Sequence, residues 1–361
     1  MDPLDVEVLQ PDPIPCGAHV FDIAFHPEID IVAASLVTGA VELYSYDKEG
    51  GHARVLDLSH HTMAARTLSF SPCGTRLVSG AKDQTLVAVD VNGEVGWQAA
   101  KAHPDAINKV HCVDTNMFVS GDDAGGVRVW DMRQSACTAS FKEQHDVISD
   151  MVVNSAGNKI IASSCDATLA LYNIRMGKME AKSEDQEDEL LSLCLIKGGN
   201  TIVCGTQEGV LDLFAYGDWE YAVDKFPGHP QSVQTMLKID EDTILTGSSD
   251  GIIRILSLGP NKLLGVIGDH EEFPVEVIAL SRDRQLIGSC SHDSKVHFWD
   301  VSYLNEDGAG GGDEEDGAAG GGAAGGAGGA GGGGGSSSSS AAAAAGETKA
   351  AGDPGSFFDD L

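Results

Sequence analysis

Twelve histidines and eight cysteines are the side chains best suited to metal or acid–base chemistry in this 361-residue chain. Their spacing argues against both. The cysteines fall at 16, 73, 112, 137, 165, 194, 204 and 290, and none forms a Cys-x-x-Cys pair. Most sit in alternating apolar runs such as Val110-His111-Cys112-Val113. That is the setting of buried thiols in a reducing compartment, not of a disulfide framework or a zinc site. His60-His61, and His292 with His297, lie on alternating or turn segments with no cysteine partner and no convergent set. Neither Gly-x-Ser-x-Gly nor Gly-x-x-x-x-Gly-Lys-Ser/Thr occurs, and Lys82 in "SGAKDQT" sits in no phosphate loop. The expectation is no enzyme, no metal and no cofactor.

Recognition chemistry remains, and charge narrows it. A net charge of -32 opposes unassisted binding to nucleic-acid phosphates or an anionic membrane, and it favours basic partners such as ribosomal or histone-like proteins. The N-terminal "MDPLDVEVLQPDP" lacks the basic start and apolar stretch of a secretory signal. No run of eighteen apolar residues exists. The chain reads as a soluble intracellular monomer.

The elements that position these residues follow from an internal repeat. "ASLVTGAVELYS", "SGAKDQTLVAVD", "SGDDAGGVRVWD", "ASSCDATLALYN", "CGTQEGVLDLFA", "TGSSDGIIRILS" and "GSCSHDSKVHFWD" are versions of one block. Near its end stand Tyr44, Val89, Trp130, Tyr172, Phe214, Leu256 and Trp299, at steps of 45, 41, 42, 42, 42 and 43. This is the period of a WD-type propeller blade. Period-2 runs between Gly, Asp, Asn and Pro supply the strands and turns. In copy three the strands are expected at 107–113, 117–121, 127–131 and 136–141. The predicted fold class is all-β: a seven-bladed propeller over residues 1–304. A strand at residues 4–9 is expected to join the last blade and close the ring. Residues 305–361 turn Gly/Ala/Ser-rich and acidic, and are expected to form a disordered tail, with Phe357 and Phe358 near its end.

A histidine precedes most copies by 25–29 residues: His19, His60 or His61, His103, His145, His229 and His270. In copy seven, His270, Ser289, Asp293 and Trp299 take the places of a hydrogen-bonded set that locks a WD-type blade. On spacing, copy seven is the only full example. Copy six has Leu256 in place of Trp, and copy three has Ala124 in the Asp place.

Three candidate recognition sites follow. Trp130 and Asp131 end the third strand of blade three, and Arg133 projects beyond it. Its planar fork suits a carboxylate or backbone carbonyls of a partner, or an acid of a neighbouring blade. The entrance to the central channel is expected to be lined by Phe21, Arg66, Asn108, Ser149, Leu191, Gln234 and Glu276. That ring is mixed in character, neither a basic surface for RNA nor a catalytic set. The acidic run at 184–189 stands where copy five lacks its histidine, as a solvated loop or a contact for a basic protein.

The segments "DIAFHPEIDIVAASLVTGAVELYSY", "TLSFSPCGTRLVSGAKDQTL", "VSGDDAGGVRVWDMR", "CGTQEGVLDLF" and "PGHPQSV" resemble the WD repeat-containing protein 55 family over about residues 4–304. The resemblance implies a nuclear, often nucleolar, scaffold that works with ribosome-assembly factors in ribosomal RNA maturation. For plant-lineage members it also implies recruitment to a cullin-four ubiquitin ligase through the damaged-DNA-binding adaptor, which recognises Trp-Asp-x-Arg proteins. Family members carry Lys-rich tails, whereas residues 305–361 hold one lysine, Lys349. Nucleolar residence therefore requires a partner that brings the protein in.

Overall fold

The computed structural model describes residues 11–306 except 49, 135 and 272. They form seven four-stranded antiparallel sheets. The innermost strands are Val20–Phe25, Ala65–Phe70, Ile107–Cys112, Ile148–Val153, Leu190–Ile196, Val233–Lys238 and Val275–Leu280. Each packs against the next, and the last packs against the first, so the sheets close a seven-bladed propeller. In blade three the strands are Ile107–Cys112, Met117–Asp122, Val127–Asp131 and Cys137–Phe141, within a residue or so of expectation. No helix among the described residues is long and apolar enough to cross a membrane.

Small residues in the second strand of each blade let neighbouring blades approach. A Cβ on Gly121 would stand 2.5 Å from Ile148 Cγ2, and one on Gly247 would stand 2.7 Å from Val275 Cγ1. Both contacts are far inside van der Waals range, which explains the Ser/Thr-Gly pairs of the repeat. Between blades lie mixed apolar clusters. One joins Val78, Leu86 and Trp97 of blade two to Ile107, Phe118 and Trp130 of blade three.

Polar stitches complete the junctions between innermost strands. The Asp22 carboxylate accepts from Leu68 N at 2.8 Å, Thr67 Oγ1 from Val110 N at 3.0 Å, and Asp150 from Leu193 N at 2.9 Å. Each satisfies a buried donor that the antiparallel pairing within its blade leaves free.

Within the described residues, the ring is closed by the segment that follows the expected strand. The strand paired with the last blade is Ile14–Pro15, with Ile14 opposite Val296 and Pro15 opposite Lys295. Cys16 N extends the pairing to Ser294 O at 3.0 Å. Ile14 is buried against Tyr46 and Phe298, and this apolar anchor sets the register. Residues 4–9 lie outside the described residues, as does the segment 307–361.

Candidate functional site

All seven residues assigned to the entrance line one cavity of about 450 Å³ at the channel mouth. Each occupies the same place on its innermost strand, one residue after the strand's first buried apolar side chain, so the ring of strands brings them together. Their polar groups are largely engaged. Arg66 Nη1 donates to Asp123 at 2.7 Å, Asn108 Nδ2 to Ile148 O at 3.0 Å, and Ser149 Oγ to Leu190 O at 2.5 Å. Gln234 Nε2 reaches Ser232 Oγ at 3.0 Å, and the Glu276 carboxylate meets His292 Nε2 at 2.7 Å. Phe21 stands edge-on to His19, their centroids 4.9 Å apart. Leu191 adds an apolar face.

Two charged neighbours in the same strands, Asp22 and Lys109, also line the mouth, with Asp150 behind them, and none was among the expected lining residues. Lys109 sits 3.1 Å from Asp150, with its side chain 30% exposed. Burial pulls the Lys109 ammonium down, but Asp150 and Asp22 more than offset it and hold it above its ordinary value. Burial raises the Asp22 carboxyl, against the pull of Lys109. Asp22, Lys109 and Asp150 each follow an entrance residue in sequence, and that adjacency is the signal that could have found them. Cys165 also lines the cavity. Burial and surrounding carboxylates push its thiol up to about 12, so it is a poor nucleophile at neutral pH.

The locking sets inside the blades depart from the spacing-based reading. Blade three holds the complete set. Trp130 Nε1 donates to Ser120 Oγ at 2.7 Å, Ser120 meets His103 Nε2 at 2.6 Å, and His103 Nδ1 meets Asp122 at 3.0 Å. The acid is Asp122, two residues before the place taken by Ala124. Its other oxygen accepts from Gly126 N at 2.6 Å. A Cβ at Gly126 would press to 2.9 Å on the Asp122 carboxylate, so the glycine makes the displaced acid possible.

Blade seven, expected to be the full example, is incomplete. His270 Nε2 meets Ser289 Oγ at 2.7 Å and Trp299 Nε1 donates to the same oxygen at 2.7 Å. Asp293, however, is held by His297 Nε2 at 2.5 Å. Buried His270 Nδ1 has no hydrogen-bond partner. Asp293 and His297 are four residues apart on a tight turn and its strand, and this short link outcompetes the reach to His270.

Of the remaining histidine places, copy two resolves between its two candidates and copy four shifts. His61, not His60, bonds Ser79 at 2.7 Å and Thr85 at 2.6 Å. In blade four the role falls to fully buried Gln144, which donates to Thr168 O at 3.0 Å and accepts from Tyr172 Oη at 3.2 Å. His145 is exposed.

Trp130 is buried and packs edge-on against Trp97, centroids 5.6 Å apart. Trp97 Nε1 in turn donates to Gln134 O at 3.0 Å, fastening the turn that carries Arg133. The Arg133 fork closes on its own motif. Nε and Nη2 reach the two oxygens of Asp131, each at 2.8 Å. These bonds pull the Asp131 carboxyl down to about 2. The pair differs from the expected contact with a neighbouring blade's acid, because Asp131 lies only two residues away. The Arg133 side chain stays 65% exposed.

In the acidic run, Glu187 pairs with Lys225 at 2.9 Å and the Asp188 carboxylate accepts from Glu208 N at 2.6 Å. Gln186 ties the loop to Glu220 O at 3.1 Å. The loop is thus anchored to blade five, with Glu187 projecting into solvent.

Comparison with known proteins agrees with the repeat and the ring. The WDR55 family profile matches residues 11–304. The chain belongs to the WD repeat-containing protein 55 family. It is 36% identical over 297 residues to WD repeat-containing protein 55 of Arabidopsis thaliana, covering 81% of this chain and 83% of that one. The Homo sapiens protein of the same name is 34% identical over 296 residues, covering 81% and 77%. WD repeat-containing protein JIP5 of Cryptococcus neoformans is 37% identical over 301 residues, covering 80% of each. The family fixes a WD-repeat scaffold, a fold that serves protein–protein interaction in general.

Proposed function

We propose that this protein is a non-catalytic platform for ribosomal RNA processing, acting in the nucleus and reaching the nucleolus with its partner. The observation that carries the reading is the channel mouth. All seven blades contribute an entrance residue to a single cavity, and its cations Arg66 and Lys109 are both held by acids. With Asp22, Asp123 and Glu276 also in its wall, the mouth has no cationic surplus for RNA phosphate. It suits a basic peptide segment of a ribosome-assembly protein, with Phe21 and Leu191 as the apolar floor. The net charge of -32 steers such a segment toward the chain. No group in the mouth is arranged as a nucleophile with its base, so the reading is binding and not turnover.

The substrate-receptor reading, through Trp130, Asp131 and Arg133 and the damaged-DNA-binding adaptor, has weaker support. The Arg133 fork is already engaged with Asp131, and an adaptor acid would have to displace that bidentate pair.

The test is depletion followed by analysis of ribosomal RNA precursors. Precursors are expected to accumulate and to be cleared by the wild-type chain and by Arg133→Ala, but not by a mouth variant carrying Leu191→Lys and Glu276→Lys. Unchanged precursors on depletion would refute the ribosomal reading.

A further inference from the structure

Blade seven contains a cluster that the locking set does not use up: Asp293 is turned to His297, and His270 Nδ1 is left without a partner. His270, Asp293 and His297 each offer one ligand atom, and those atoms lie within 4.8 Å of one another. His270 is 5% exposed, and its Nδ1 is buried without a hydrogen-bond partner. The Asp293 and His297 side chains are 18% and 21% exposed, so one side of the cluster opens to solvent.

The neighbouring blade shows what this position accommodates. In blade six, His229 Nε2 meets Thr246 Oγ1 at 2.8 Å, and His229 Nδ1 is likewise unpartnered. There the equivalent acid, Asp250, is gripped by Arg254 at 3.0 and 2.6 Å. Arg254 and His297 hold the same place, two residues before Leu256 and Trp299. Blade six thus builds a permanent cation against its aspartate. Blade seven has an imidazole there instead, and an imidazole can coordinate a metal where a guanidinium cannot.

We propose that His270 Nδ1, the Asp293 carboxylate and His297 Nε2 bind a Zn²⁺ ion that clamps the last blade of the ring. Two imidazoles and one carboxylate are a zinc donor set, and a solvent water completes the tetrahedron on the open side. Zinc–ligand distances of about 2.0–2.2 Å place tetrahedral ligand atoms roughly 3.4 Å apart, so the 2.5 Å His297–Asp293 pair widens while the wider separations in the cluster close, adjustments that small side-chain rotations supply. The ion replaces the hydrogen now shared by His297 Nε2 and Asp293; that proton passes through solvent to His297 Nδ1, so the ligand is the neutral imidazole with Nε2 free to coordinate. His270 keeps its proton on Nε2 and donates it to Ser289 Oγ, which also accepts from Trp299 Nε1. That outer hydrogen bond orients the ligand imidazole. Asp293 and His297 bracket Ser294, Lys295 and Val296, the residues that hold the closing segment at Cys16, Pro15 and Ile14. Metal at this point ties the turn, the strand and the loop carrying His270 together at the seam of the ring.

The test uses the purified full chain stripped by chelator. Zn²⁺ is titrated calorimetrically, and thermal melts are run with and without the metal. The wild type is expected to bind one equivalent at micromolar or tighter affinity, with a Tm raised by several degrees and returned by chelator. His297→Arg copies blade six and keeps the fold. It is expected to weaken this binding at least tenfold and to abolish the Tm rise. Asp293→Asn provides a second, isosteric variant with the same expected loss. Wild-type affinity no tighter than millimolar would overturn the proposal. So would equal binding by both variants, which would place the metal on the chain's cysteines.

Discussion

In blade three the aspartate reaches its histidine, and in blade seven it does not. Both blades bring a tryptophan, a serine and a histidine into the same chain of hydrogen bonds, with almost the same distances. In blade three the acid comes from the end of the second strand, from a fully buried position, with Gly126 leaving room for it. In blade seven the acid comes from the turn and is held by a residue four positions later. The two arrangements differ in whether the histidine Nδ1 is satisfied, by Asp122 at His103 and by no group at His270, and so in how tightly a buried polar network is closed. The closed one sits beneath the turn that carries Arg133. The open one sits beside the seam of the ring.

The largest effect expected from this comparison is at the tryptophans. Trp130→Ala removes a buried side chain packed on Trp97 and Phe118 and should lower stability by about 3–5 kcal/mol, read by chemical denaturation. Trp299, only half-buried, should lose clearly less. Equal losses would mean that the closed network adds nothing to blade three.

Acid should act next, through the open networks. Burial lowers His229 to about 4, with Arg254 adding to the effect, and it lowers His270 to about 4, with His297 adding to it. The unfolded chain takes up protons at these sites as pH falls through 6.5, whereas the folded chain resists until about 4. Their contribution is therefore present above 6.5 and lost between 6.5 and 4, on the order of 3 kcal/mol per histidine in the metal-free protein. Denaturation midpoints measured across that window should fall with pH. His270→Gln should flatten the slope, and a slope unchanged by it would contradict the assignment.

The acids themselves sharpen the contrast. Asp122→Ala strands the buried His103 Nδ1 and the Gly126 amide and should cost about 2–3 kcal/mol. Asp293→Ala, which releases a partly exposed His297 and the exposed Lys295 amide, should cost about 1 kcal/mol or less. A reversed order would show that blade seven and not blade three is the locked one. Arg133→Ala should be smallest, leaving the melt unchanged, because the side chain is mostly exposed and its bond is local.

Much of this was legible in the chain. Seven aromatic or aliphatic positions at near-constant steps dictate seven blades, because one blade cannot bury its faces alone. The mouth was legible for the same reason: Phe21, Arg66 and their counterparts occupy one register position on strands that must line the channel. The networks were less so. Spacing pointed to Asp293 and away from Asp122, but a hydrogen bond depends on reach, and Gly126 shifts that reach in blade three. His297 competes for Asp293 through a four-residue turn that no repeat alignment weighs. Gln144 replaces a histidine because its amide can both donate and accept, so His145 one residue later is left outside. The closing strand expected at residues 4–9 lies outside the described residues, and the pairing of Ile14–Pro15 with the last blade, which follows the burial of Ile14, had no alternation to announce it.

The mouth as a docking surface is the central claim, and affinity capture with mass spectrometry tests it most directly. The tagged wild type, Arg133→Ala, and the Leu191→Lys, Glu276→Lys double variant are compared at equal expression, with folding checked by their melts. Ribosome-assembly proteins should be recovered with the wild type and with Arg133→Ala, and lost with the double variant, whose mouth repels basic segments. Recovery of the same proteins by the double variant, with their loss from Arg133→Ala, would contradict the account and move recognition to the Trp130–Asp131–Arg133 corner.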